Sequence, residues 1–215
     1  MPALSPAVEA CPSCGARPST PLLCEACGEL LEPRTPPSPF EALGIEPVFA
    51  LDLGAARKRL LALSRALHPD FHGTADADTR RLAEDNTAAL NAAFQVLADD
   101  LRRADWFVRS LGGPREDEER SMPGVFLQEV LEWNETIEEA RSAAPGSPAR
   151  AALASLAAEL QRARAAGVQR VTGLLTPPPA RGDTALRRVR QELNALRYME
   201  RALREIGELQ LASHS

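Results

Sequence analysis

Two groups of residues in this chain have the type and spacing to do chemistry. The first is Cys11-Pro-Ser-Cys14 with Cys24-Glu-Ala-Cys27, which together are all four cysteines of the sequence. Each C-x-x-C pair brings two thiolates to one point, and Gly15 and Gly28 permit the tight turn after each pair. Together the pairs offer the four soft ligands of a tetrahedral zinc site. Three alternatives share the same residues. Two disulfides are disfavoured in a reducing compartment. A redox pair lacks the strand–helix context that such a motif uses, and an iron–sulfur cluster is less common at this spacing. Structural zinc is the favoured reading. No histidine or carboxylate is needed to complete four-coordination, so the site reads as closed and non-catalytic. So short a knob cannot fold on apolar burial alone, and the metal would supply its folding energy.

The second group is His68-Pro69-Asp70. Before it, Ala56, Leu60, Leu63 and Leu67 recur at helical spacing, and after a polar run Leu82, Asn86, Leu90, Phe94 and Leu97 form a second stripe. Proline cannot continue the first helix, and it biases His68 away from helical dihedrals. The expected product is a helical hairpin whose loop displays an imidazole and a carboxylate. That arrangement resembles the J-domain, the module that stimulates ATP hydrolysis by DnaK-type chaperones. No nucleophile–base pair, phosphate-cradling glycine loop or open metal site accompanies it. The chain therefore reads as a non-enzyme that acts on a partner's ATPase.

The elements that must position these groups follow from composition and punctuation. Hydrophobic residues make up 44% of the chain but aromatics only 4%, so Leu and Ala do most of the packing and helix is favoured over sheet. A net charge of −5 leaves no nucleic-acid or membrane footprint. No apolar run is long enough to span a bilayer. The first residues carry neither a secretory signal pattern nor an Arg-rich transit pattern, so a cytoplasmic location is expected. The fold class expected is all-α. A four-cysteine knob with a short tail covers 1–32, and a stiff proline-rich linker covers 33–39. The hairpin domain covers 40–113, with a short helix ended at Gly44. Gly112-Gly113-Pro114 breaks the pattern, and an acidic, solvated connector covers 114–122.

Residues 123–215 read as a three-helix bundle. Its helices are expected over 123–143, 147–175 with Ser147 as N-cap, and 183–211. Phe126, Val130, Trp133 and Ile137 form the buried stripe of the first. Leu127 and Leu131 lie on an adjoining stripe rimmed by Glu132, Glu135, Glu138 and Glu139, which makes that side a candidate interaction surface. Leu153, Leu156, Leu160, Ala163, Val171 and Leu174 line the second helix. The third turns Leu186, Val189, Leu193, Leu196, Leu203 and Ile206 inward. Tyr198, about 200° around from Leu196, should point away from that stripe.

The whole chain resembles the HscB/Jac family of iron–sulfur cluster co-chaperones. The likeness rests on the cysteine knob, the hairpin, Ala89-Leu-Asn-Ala-Ala-Phe-Gln-Val-Leu97 leading to Arg103-Ala-Asp-Trp-Phe, Phe126-Leu-Gln-Glu-Val-Leu-Glu132 with Glu135, and Leu196-Arg-Tyr-Met199. The resemblance implies two protein partners. His68, Pro69 and Asp70, with Arg57, Lys58, Arg59 and Arg65 on the basic helix, would engage a DnaK/HscA-type ATPase. Leu127, Leu131, Glu132, Glu135, Glu139 and Tyr198 would hold an IscU-type scaffold. The alternative is a zinc-containing J-protein that presents a different client. Two departures bear on the contacts. Gln128 stands where the family often has an apolar residue, and Leu61 stands where generic J-domains usually have lysine.

Overall fold

The computed structural model describes residues 8–68, 76–124, 126–144 and 146–212. Among the described residues the regular elements are seven helices: α1 (Pro39–Leu43), α2 (Leu53–Leu67), α3 (Ala77–Ala98), α4 (Asp100–Ser110), α5 (Phe126–Ser142), α6 (Pro148–Leu175) and α7 (Ala185–Ala212). Isolated β-bridges Thr20–Leu23 and Leu23–Leu30 occur in the knob. The chain divides into two compact units, Met1–Arg103 and Ala104–Ser215. No described helix is long and apolar enough to cross a membrane.

Local chemistry sets the helix ends in the first unit. Ser38 and Glu41 form a reciprocal capping box on α1, with Pro39 in its first turn. Gly44 closes that helix at φ 64°, a left-handed position that glycine reaches without a Cβ clash. Asp52 caps α2 through Ala55 N–H, and Asp76 caps α3 through Thr79 N–H. Those amide hydrogen bonds hold the Asp76 carboxyl below the usual carboxylate range. His68 ends α2 at ψ 130°, the extended conformation its following proline requires. Asp99 interrupts what would be one long helix, and its Oδ1 accepts from Leu101 N and Arg102 N at the start of α4.

The apolar stripes are close to those the periodicity predicts, shifted by one position in places. On α3 the buried residues are Ala83, Asn86, Leu90, Ala93 and Leu97, with Leu82 and Phe94 only half-buried. On α6 Leu175 is buried and Leu174 is not; on α7 Met199 and Ala202 are buried while Leu203 is half-buried. Small residues on these stripes let neighbouring backbones approach. Gly167 is one: a Cβ there would stand 2.7 Å from Leu196 Cδ2, so α6 and α7 meet too closely for a side chain.

Two expectations about the connections are corrected. The proline run does not uncouple the knob: residues 8–32 pack on the helices of the first unit through buried hydrogen bonds described below. The acidic stretch 114–122 is not a solvated spacer either. Glu119 is buried in the second unit, ion-paired to Arg187 at 2.7 Å. Asn194 Nδ2 donates to Glu119 O and Ser121 O at 2.9 and 3.1 Å, strapping the stretch along α7. Hydrogen bonds from Ser121, and the Arg187 charge, hold the Glu119 carboxyl below its ordinary range.

Candidate functional site

The knob is built from two matching turns. Gly15 N–H donates to Cys11 O and Cys11 N–H to Ala16 O, each at 2.8 Å; Gly28 with Cys24, and Cys24 with Glu29, repeat the pattern at the same distance. Gly15 and Gly28 sit at φ 74° and 80°. The result places all four Sγ atoms within 4.8 Å of one another. Cys11 to Cys27 is 3.7 Å and Cys14 to Cys24 is 3.6 Å. Four thiolates about 2.3 Å from one zinc ion stand about 3.8 Å apart, so the cluster has the dimensions of a single-ion tetrahedral site. All four cysteines are free, which removes the two-disulfide alternative. Crowding four thiols also splits their acidities. Burial raises Cys24, but the N–H groups of Cys27 and Ala26 outweigh it and bring the thiol down to about 7. The Glu29 N–H favours the Cys27 thiolate, yet the neighbouring Cys14 thiol and burial push Cys27 up to about 12. A metal ion resolves that conflict by taking all four as thiolates.

On the hairpin, Arg57, Lys58, Arg65 and His68 are exposed on α2. Leu61 lies among them at 52% exposure, so the departure from lysine is a surface feature. Pro69 and Asp70 lie outside the described residues. Arg59 is a correction. It was expected on the partner-facing surface, but its guanidinium is committed to the knob, paired with the Glu25 carboxylate and the Ser19 hydroxyl, and its Nε donates to Leu43 O at 2.9 Å.

In the bundle, Phe126, Val130, Trp133 and Ile137 are buried as the pattern requires, and Phe126 and Trp133 meet edge to face at 5.3 Å. Leu127 and Leu131 are each 64% exposed. Glu132, Glu135 and Glu139 are exposed around them. Tyr198 is half-buried rather than turned fully outward. Its ring meets Phe126 edge to face at 6.0 Å, and its hydroxyl is 3.1 Å from Asn134 Nδ2 across α5 and α7. It borders the exposed leucines while resting on the core.

Sequence reasoning missed the polar residues that hold these surfaces in place. Asn86 was placed on an apolar stripe, and its polarity there was the available signal. Arg190 is fully buried on α7, donates from Nε to Pro114 O at 3.0 Å, and pairs with Asp105 at 2.6 Å. An arginine four residues from Leu186, on the same stripe, carried the same kind of signal.

An all-helical protein with a hairpin unit, a three-helix unit and a closed four-cysteine centre belongs to the co-chaperone class rather than to a catalytic one. Comparisons make the assignment specific. Residues 122–207 match the HscB C-terminal oligomerisation domain. The co-chaperone protein HscB homolog of Bordetella pertussis is 33% identical over 145 residues, covering 67% of this chain and 80% of that protein. The homolog from Mannheimia succiniciproducens is 36% identical over 104 residues, covering 47% of this chain and 60% of its own length. The fold is that of human co-chaperone HscB, with a TM-score of 0.74 at 20% identity over 94% of this chain and 98% of that one. Chaperone HscB from Vibrio cholerae gives 0.67 at 22% identity, over 81% and 98%. The chain belongs to the HscB co-chaperone family.

Proposed function

We propose that this protein is a cytoplasmic co-chaperone of iron–sulfur cluster assembly, and that it catalyses no reaction of its own. Its helix α2 and His68-Pro69-Asp70 engage a DnaK/HscA-type ATPase and stimulate ATP hydrolysis. The bundle holds an IscU-type scaffold protein as the client. The knob's ion is zinc, since four thiolates at tetrahedral spacing suit a closed structural site.

The observation that carries the reading is the pair Leu127 and Leu131, each 64% exposed inside a rim of carboxylates, on the domain that matches the family. They stand one helical turn apart, with Glu135 one turn further. Two exposed leucines side by side give a client an apolar anchor. Glu132, Glu135 and Glu139 add orientation and faster encounter with a basic partner surface. Binding ATPase and client on one chain raises their mutual local concentration, which is how a protein without an active site of its own accelerates a partner's cycle.

The test has two arms. Single-turnover ATP hydrolysis by the partner chaperone should be stimulated by the wild-type protein and not by His68→Gln. Calorimetric titration of an IscU-type scaffold should show saturable binding that Leu127→Ala with Leu131→Ala weakens. Stimulation that survives His68→Gln in a folded protein overturns the ATPase assignment. Stimulation without any scaffold binding points to a different client.

A further inference from the structure

The knob reaches into the hairpin through four contacts. Asn86, 2% exposed on α3, points its carboxamide at the knob and donates from Nδ2 to Leu22 O at 2.8 Å and to Leu31 O at 2.9 Å. These carbonyls flank the second cysteine pair. Thr20, buried between the two pairs, donates its hydroxyl to Ala42 O of α1 at 2.8 Å. Arg59 of α2 is held by Glu25, which lies between Cys24 and Cys27, and by Ser19. Finally, Ser19 sits against Gly44, where a Cβ would come within 2.6 Å of Ser19 Oγ and 2.7 Å of Ser19 O. The same glycine therefore ends α1 and leaves room for the knob. All three helices of the first unit's core, α1, α2 and α3, end up fastened to one loop system that has almost no apolar core of its own.

We propose that the four-cysteine knob is a metal-dependent brace on the hairpin, with Asn86 and Arg59 as the transmitting side chains, so that loading the cluster sets the stability of the helices that face the partner ATPase. The physical argument is one of satisfied groups. With the knob folded, the Asn86 carboxamide and the Leu31 carbonyl satisfy each other in a buried place. Without the metal the knob cannot hold its turns. Asn86 then loses both acceptors, Arg59 loses its carboxylate, and α2 and α3 lose a covering layer. Linkage makes the effect mutual: whatever the folded knob lends the hairpin, the hairpin returns as metal affinity. The bundle helices α5–α7 make none of these contacts and should not respond. Only the final consequence, a change in ATPase stimulation, rests on the function proposed above.

The experiment is hydrogen exchange on the full chain, first zinc-loaded, then stripped with a chelator, then reloaded with zinc. Removal should speed exchange of α2 and α3 amides by about tenfold, reversibly, with α5–α7 unchanged. The reciprocal arm uses zinc-loaded Asn86→Leu and Glu25→Gln, which keep all four cysteines. Each should surrender zinc to a competing chelator several-fold more readily than wild type. Equal α2 and α3 protection with and without zinc overturns the proposal, as does unchanged zinc affinity in both variants. If Asn86→Leu fails to fold, Glu25→Gln, an exposed change, decides the affinity arm. A wild-type protein that stimulates no ATPase removes the function reading and leaves the exchange result standing.

Discussion

In the first unit the buried polar anchor is a neutral carboxamide, and in the second it is a guanidinium. Asn86 bridges two backbone carbonyls of the knob. Arg190 reaches Asp105 and Pro114 O, and its Nη1 has no hydrogen-bond partner among the described residues. Both side chains tie a peripheral segment to a helical core. They differ in what breaks them. A neutral amide bond is indifferent to pH and depends on the fold of the segment it holds, here a metal-organised loop. A buried ion pair is bound to its partner's charge and leaves a large desolvation cost behind if that charge is lost. One unit is thus exposed to metal loss, the other to loss of charge.

The largest effect expected from breaking this comparison is at Asp105, which serves Arg190, Arg197 and Arg109 at once. Asp105→Ala leaves the Arg190 guanidinium buried without its counter-charge and should cost on the order of 3–5 kcal/mol. Chemical denaturation followed by circular dichroism reads it. Arg190→Met, which removes the charge rather than stranding it, should cost less. Equal losses would show that packing, not charge, governs the site.

Next is Asn86→Leu, expected to cost about 1–3 kcal/mol. Leu22 O keeps the Leu31 N–H at 3.1 Å, so Leu31 O is the acceptor left stranded. The loss should show in the first unit's melting transition and be nearly independent of pH between neutrality and mild acid.

A smaller and pH-dependent effect belongs to Glu119. Its folded pKa lies below the unfolded carboxylate value of about 4.3. Its contribution is therefore present above that unfolded value and is lost as pH falls through the lowered folded value. Denaturation midpoints measured from neutral pH into the acid range should fall more steeply for wild type than for Glu119→Gln. Parallel curves would mean that the strap along α7 owes nothing to this carboxylate.

The smallest stability effect is expected on the client face. Leu127→Ala with Leu131→Ala should change stability by no more than about 0.5 kcal/mol per site, while each side chain is worth more than about 1 kcal/mol of scaffold binding. Tyr198→Ala should cost more stability than either, because its ring rests on Phe126. A melting curve beside a titration separates the two quantities.

Much of the candidate site was legible in the order of residues because its information is local. Two C-x-x-C pairs with following glycines dictate their own turns. The stripe Phe126, Val130, Trp133 and Ile137 fixes which side of α5 is buried, and so leaves Leu127 and Leu131 outside. Ser147 and Pro148 mark the start of α6 as caps do anywhere. Tyr198 was placed too far outward because a rotation of 200° on one helix does not say how close the next helix comes. The shifts on α3 and α7 have the same origin: where Ala83, Ala93 and Ala202 let neighbours approach, the buried stripe moves toward the small residues.

What the sequence determined by itself is the ligand set of the knob, the helical elements and their punctuation, and the pair of leucines left off the core. What only the tertiary structure decided is which polar groups meet. Asn86 finds carbonyls 64 and 55 residues away, Arg59 finds Glu25 34 residues away, and Arg190 finds Pro114 76 residues away. Periodicity records which face of a helix avoids water, since that depends on neighbours three and four positions along. It carries no record of a hydrogen bond closed across tens of residues, because that pairing exists only once the chain has folded and water has been excluded around it.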